Sequence, residues 1–219
     1  MKPARFWPRY AAYSLDLLLL TPLAALLAAK PLMAAFDAAN VLLLASETAM
    51  QRAFDQGHFG LLDLAEALRT DPQFYEVLLS GISTLLGGVL LGASVSVLVL
   101  AVWFIGFEAS PWRATPGKRA LHLQVQNTAG ERASLGRVAL RFFGATPSWL
   151  LLHLGHAFAM WRKDGRALHD LIAGTQVVAL SEPMPAWARA WLVLQLCALL
   201  GLLMFLFWRI AQALVLLGL

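Results

Sequence analysis

The run from Tyr10 to Ala29 constrains this chain most, because Asp16 is the only charge in it. About 20 apolar residues suffice to cross the hydrocarbon core of a bilayer, so the run predicts a transmembrane helix. At ~1.5 Å per residue, Asp16 lies roughly 9 Å inside the first apolar residue. An ionised carboxylate near the centre of a spanning helix costs at least ~2.5–3.5 kcal/mol, so Asp16 calls for a partner. Arg9, Tyr13 and Asp16 fall at i, i+4 and i+7, on one helix face. Arg9 and Asp16 are about 10.5 Å apart along the axis. Either Tyr13 bridges them, or a second basic residue arrives from elsewhere in the chain.

Composition places the whole chain in the same class. Of 219 residues, 59% are hydrophobic and 14% charged, which excludes an ordinary soluble domain. Lys2, Arg5 and Arg9 precede the first apolar run as in a signal peptide, but the run is long for a cleaved segment and is expected to stay as a membrane anchor. Cys197 is the single cysteine, so no intrachain disulfide forms and no cysteine-based metal site is expected. The reading is of a mainly α, polytopic transmembrane protein with a re-entrant or partial membrane segment and a small cytoplasmic β element.

The first helix, residues 10–29, is expected to close at Lys30-Pro31. Residues 30–73 then form an outer loop. Within residues 30–72, Lys30, Arg52 and Arg69 face Asp37, Glu47, Asp55, Asp63, Glu66 and Asp71. Short amphipathic helices are predicted over 33–47 and 61–69, with a turn at Gln56–Gly60 between them. The second spanning segment is 74–107. Ser80, Thr84, Gly88, Gly92 and Ser96 recur in it every four residues, and this stripe of small side chains predicts close packing against another helix, the Ala-rich first helix or a second copy.

Residues 108–141 form a basic loop carrying Arg113, Lys118, Arg119, Arg132, Arg137 and Arg141 against Glu108 and Glu131. With Lys2, Arg5 and Arg9, this loop is expected on the cytoplasmic side and the acidic loop outside. Residues 121–126 alternate like a strand, 127–130 turn, and 132–135 offer a return strand before Ser134 caps a helix. Residues 174–180 offer another strand, able to pair with 121–126 if both lie on one side. The apolar segment 142–161 is broken by Gly144 and Thr146-Pro147 and followed by Arg162, Lys163 and Arg166. A re-entrant or partial segment keeps both flanks inside, with 162–180 as a cytoplasmic return. Residues 181–219 are a linker and a last spanning helix anchored by Trp191 and Trp208.

Three separated motifs are specific when taken in order. They are Arg9 with Asp16, then Thr115-Pro116-Gly117-Lys118-Arg119, then Asp164-Gly165-Arg166-Ala-Leu-His169-Asp170 running on to Gly174-Thr175. The chain resembles the RDD family of membrane proteins over residues 5–180, apart from an extended outer loop. The family pattern carries a small or polar residue before Thr-Pro-Gly-Lys, where this chain has Trp112-Arg113-Ala114. The resemblance implies that Arg9, Asp16 and Asp170 are the eponymous triad; in an inner-membrane protein the basic residues are expected to place the N-terminus on the cytoplasmic side. Some members are suggested to exchange cations for protons.

Read for itself, Pro116-Gly117 is expected to stop a helix and present Lys118 from a tight turn. A lipid phosphate, a carboxylate such as Asp170, and water all stay open as its partner. Asp170 reads as a helix cap or salt bridge, or as a second carboxylate for a cation site with Asp16. Tyr13, Thr115, Gly117, Lys118 and His169 complete the candidate binding residues. His153 and His156 share a face but lack a third ligand, and no metal or cofactor is expected. No Ser/His/Asp set or HExxH motif supports an enzyme, and the basic residues suit anionic lipid headgroups better than nucleic acid. Two functions remain. One is a cation- or proton-coupled transporter acting as an oligomer, resting on Asp16 at depth. The other is a non-transporting scaffold or assembly factor, with the triad as a structural clamp for a homo-oligomer or a membrane partner.

Overall fold

Helix follows the apolar runs and overshoots them. The computed structural model describes residues 2–146, 148, 154–181 and 183–216, with the backbone alone at 154–156. In chain order it contains β1 (Lys2–Pro3), α1 (Phe6–Asp55), α2 (Leu61–Thr70), α3 (Pro72–Ala109), α4 (Pro116–Ala120) and β2 (Leu123–Asn127). Then come α5 (Leu135–Phe143), α6 (Leu154–Trp161), α7 (Leu168–Ala173), β3 (Thr175–Ala179) and α8 (Ala186–Leu216). Among the described residues, α1, α3 and α8 are long and apolar enough to cross a membrane. The protein is mainly helical, with a small three-stranded sheet.

The first helix does not stop at Lys30-Pro31. It continues through Pro22 and Pro31 to Asp55, so most of the expected outer loop is helical. A proline removes one intrahelical hydrogen bond, a loss that membrane helices tolerate where neighbours satisfy the freed carbonyl. Two compact units divide the chain, residues 20–100 and residues 1–19 with 101–219. In the first unit, Ala28, Ala35 and Ala49 are buried at multiples of seven residues along α1, and α3 packs against that line. A Cβ added to Gly88 would lie 2.5 Å from the Pro31 carbonyl oxygen, and one on Gly92 would lie 2.6 Å from the Leu32 side chain.

The small-residue stripe is therefore half right. Gly88 and Gly92 make the predicted close approach, but Ser80 and Thr84 are exposed and bond to their own helix, Ser80 Oγ to Glu76 O at 2.9 Å and Thr84 Oγ1 to Ser80 O at 2.9 Å. Each i+4 step advances 40° beyond a full turn, so five such positions wind about 160° around the helix. Gly81 takes the contact instead, with Leu42 across it, seven residues before Gly88. A seven-residue spacing drifts only ~20° per repeat, and a straight contact needs that. The turn between the helices and α2 fall as expected, with Gly57 at φ 86°.

In the second unit, β3 is the middle strand. It pairs antiparallel with β2, Val125 opposite Val177, and with β1, Lys2 opposite Ala179. The expected return strand at 132–135 does not form. Asn127 accepts the N–H groups of Ala129 and Glu131 on its side-chain oxygen, closing a turn that leads directly into α5. Ser134 caps α5 by accepting from Arg137 N, as read from the sequence. The alternative partner, 174–180, pairs with β2. β1 went unread because two residues carry no alternation. Ala4, Ala11, Ala12, Leu121, Leu123, Val125, Val177 and Ala188 form the core of this unit, bringing the start of α1 onto the sheet.

The segment 142–161 is not one continuous helix. α5 ends at Phe143, Gly144 and Ala145 form a turn, and helix is described again at Thr146, at Ser148 and over Leu154–Trp161. His153 lies outside the described residues, as does the side chain of His156.

Candidate functional site

The candidate residues come from three local elements of the second unit: Arg9, Tyr13 and Asp16 from α1, Thr115, Gly117 and Lys118 from α4 and its N-cap, and His169 and Asp170 from α7. Asp16 is fully buried on α1. Its Oδ2 accepts the Thr115 hydroxyl at 2.5 Å, and its Oδ1 accepts Gly117 N–H at 2.8 Å and the Trp103 indole N–H at 3.3 Å. Thr115 is the N-cap of α4, and its hydroxyl oxygen also accepts from Lys118 N at 3.3 Å. Pro116 thus begins a helix, the position where its missing N–H costs nothing. Gly117 is not needed for positive φ. It is needed because a Cβ there would lie 2.2 Å from the Ala12 carbonyl oxygen and 2.9 Å from the Asp16 carboxyl carbon.

Of the partners left open for Lys118, a carboxylate takes it, but that of Glu108 rather than Asp170, and on the inside of the fold. Lys118 is buried, donates to Glu108 Oε1 at 2.6 Å and sits 5.2 Å from the Phe104 ring centroid. The other Glu108 oxygen accepts Arg141 Nε at 3.1 Å. Arg141 reaches on to form an ion pair with Asp170, and Arg9 pairs with the same carboxylate. Lys118, Glu108, Arg141, Asp170 and Arg9 therefore form one buried chain of alternating charge. Burial draws the Arg141 guanidinium below its ordinary pKa, and Glu108 opposes that shift.

Asp170 lies at the third position of α7. It accepts Ala167 N–H at 3.0 Å, which ties down the helix start, and the Thr175 hydroxyl at 3.3 Å. The salt-bridge reading is present, whereas the N-cap itself is Ala167, which Asp170 secures from the third helical position. Arg9 completes its contacts by donating to the Gly165 carbonyl at 2.5 Å. Gly165 has φ 62°, a left-handed conformation that suits glycine, with Ala4 O at 2.9 Å from where a Cβ would stand.

The two ends of the Arg9–Tyr13–Asp16 face go to different partners. Arg9 reaches Asp170 and Gly165, whereas Asp16 is held by α4 and Trp103. Tyr13 lies between them, its ring 5.7 Å from that of Phe104. No basic residue pairs with Asp16 among the described residues. His169 is buried, with Nε2 at 3.9 Å from Asp170 Oδ1, too long for a hydrogen bond. Among the described residues no group of three or more His, Cys, Asp or Glu is placed to hold a metal.

Sequence reasoning missed Glu108 and Arg141. Both were counted as loop charges, although each flanks a long apolar run, where an ionisable side chain must snorkel or find a partner. Trp103 carried no signal that separates it from other membrane tryptophans.

The RDD family profile matches residues 3–174, which includes every member of the charged chain. The protein is similar to the uncharacterised protein YxaI of Bacillus subtilis strain 168, 37% identical over 84 residues. That similarity covers 37% of this chain and 54% of the relative, so the chain spans about half of the relative's length. No solved structure matches it.

Proposed function

The chain belongs to the RDD family, and on that premise we propose that it is a non-transporting membrane scaffold or assembly factor whose triad is a structural clamp. Saturation is the observation that supports this reading. Asp170 receives Arg9, Arg141, a backbone N–H and a hydroxyl, and Asp16 receives three donors, so neither carboxylate offers an open face to a passing ion. The clamp fastens the start of α1 to α4 and α7. A buried ion pair stabilises little against an apolar replacement but strongly penalises any arrangement that separates it, so it specifies a shape. The partner is a second copy or another membrane protein, within a bilayer whose anionic headgroups meet the basic residues.

Charge sets the orientation. Residues 1–19 and 101–219 carry fourteen Lys and Arg against six Asp and Glu, whereas residues 20–100 carry three against seven. On the positive-inside rule the N-terminus, 108–141 and 162–187 are cytoplasmic, in the inner membrane.

Coupled cation or proton transport is the second reading, favoured by one observation. The donors to Asp16 are all neutral, so among the described residues its charge is not cancelled by a cation. Purified protein in liposomes, with imposed proton and monovalent-cation gradients, separates the two. The clamp predicts flux no greater than in protein-free liposomes, and an Asp16→Asn variant of lowered stability. Wild-type flux that Asp16→Asn abolishes without loss of folding would overturn the clamp.

A further inference from the structure

A column of rings leads out from the buried end of the site. Trp103, which donates to Asp16, meets Phe107 edge to face at 4.8 Å, and Phe107 stacks on Trp112 at 5.7 Å. The Arg119 guanidinium carbon then lies 4.2 Å from the Trp112 ring centroid. Trp112 is 47% exposed, just beyond the end of α3, and Arg119 is exposed. A guanidinium held by its face on a ring keeps its N–H donors directed outward in its plane, in a fork that matches two phosphate oxygens. The Arg119 guanidinium makes no hydrogen bond or ion pair with a described residue, and the same holds for the side chain of Arg113, next to Trp112. Arg113 itself is fixed at φ 53°, its N–H donating to Ser110 O at 3.0 Å and its carbonyl accepting Val125 N at 2.7 Å.

We propose that the Trp112–Arg119 stack, with Arg113 beside it, is a headgroup site for an anionic phospholipid. The aromatic ring decides between a lipid and a soluble anion. Tryptophan at the end of a spanning helix sits at headgroup depth, where its apolar face meets glycerol and acyl carbons while the arginine meets the phosphate. A free phosphate would have no use for the ring. The basic surface of this unit draws the anionic lipid, and the stack fixes where its phosphate rests.

Native mass spectrometry of the full chain in detergent tests this, titrated with phosphatidylglycerol, phosphatidylethanolamine, glycerol 3-phosphate and inorganic phosphate. Wild-type protein should prefer phosphatidylglycerol to phosphatidylethanolamine by about five- to tenfold, the effect of roughly one cation at a charged surface. Arg119→Gln should erase most of that preference at unchanged melting temperature. Trp112→Leu keeps every charge and should still weaken it by unpinning the guanidinium, which a diffuse electrostatic effect would not do. Phosphatidylglycerol binding unchanged in Arg113→Gln/Arg119→Gln would overturn the site. So would glycerol 3-phosphate or inorganic phosphate binding as tightly as the lipid.

Discussion

Replacing Asp170 by Asn removes one charge from the buried chain and leaves its shape in place. Before the change, Asp170 answers both Arg9 and Arg141. Arg141 retains Glu108 at 3.1 Å, so the loss falls mainly on Arg9, whose remaining acceptor is the neutral Gly165 carbonyl. Breaking a buried pair by removing one partner costs ~3–5 kcal/mol, most of it the uncompensated charge left behind. At 1.4 kcal/mol per tenfold, that is a shift of about two to three and a half orders of magnitude in the unfolding equilibrium. The double variant Arg9→Gln/Asp170→Asn removes the stranded charge and lets two amides meet, so it should recover all but ~1–2 kcal/mol. Equilibrium unfolding of purified protein in mixed micelles measures both, together with the Arg9→Gln single variant, against wild type. Asp170→Asn within ~1 kcal/mol of wild type, or a double variant as unstable as the sum of the singles, would refute the clamp.

Four further outcomes are expected. Gly117→Ala places a methyl group against the Ala12 carbonyl and the Asp16 carboxylate, and should lower stability by at least ~1–3 kcal/mol; an unchanged melting temperature would mean that α4 shifts freely. Gly88→Leu forces α3 away from Pro31 and Ala35 and should reduce folded yield, and normal yield with normal melting would deny the close packing. The Arg162 side chain, bonded to Asp164 at 2.7 and 2.8 Å, holds that carboxyl down to about 2, below its ordinary 3.8. This pair is complete at neutral pH and is lost as pH falls from about 4 through 2, so hydrogen exchange at residues 163–167 should quicken only in that window. Because both side chains are well exposed, the stability change should stay below ~1 kcal/mol. In a Cys197→Ala background, single cysteines at Ser181 and Gln56 should differ, with only Gln56→Cys labelled by an impermeant thiol reagent from outside; labelling of both would overturn the topology.

How much of this was legible in the sequence depends on the range of the forces involved. Hydropathy is additive along a helix, so the runs 10–29, 74–107 and 191–207 announced three spanning helices without knowledge of any contact. The cost of a lone carboxylate at depth likewise singled out Asp16, and turn and cap chemistry located Ser134, Asn127 and the 56–60 turn, because those bonds close within a few residues. The continuation of α1 through Pro31 was not legible, since the local signal says only that one intrahelical hydrogen bond is lost, not whether the helix ends there. Pairing was the least legible. Arg9 goes to Asp170 rather than to Asp16, and of the partners open to Lys118 a carboxylate takes it, Glu108 rather than Asp170. A charge fixes only that a partner is required. Which partner answers depends on where the fold brings side chains up to 161 residues apart, and tertiary structure alone sets that.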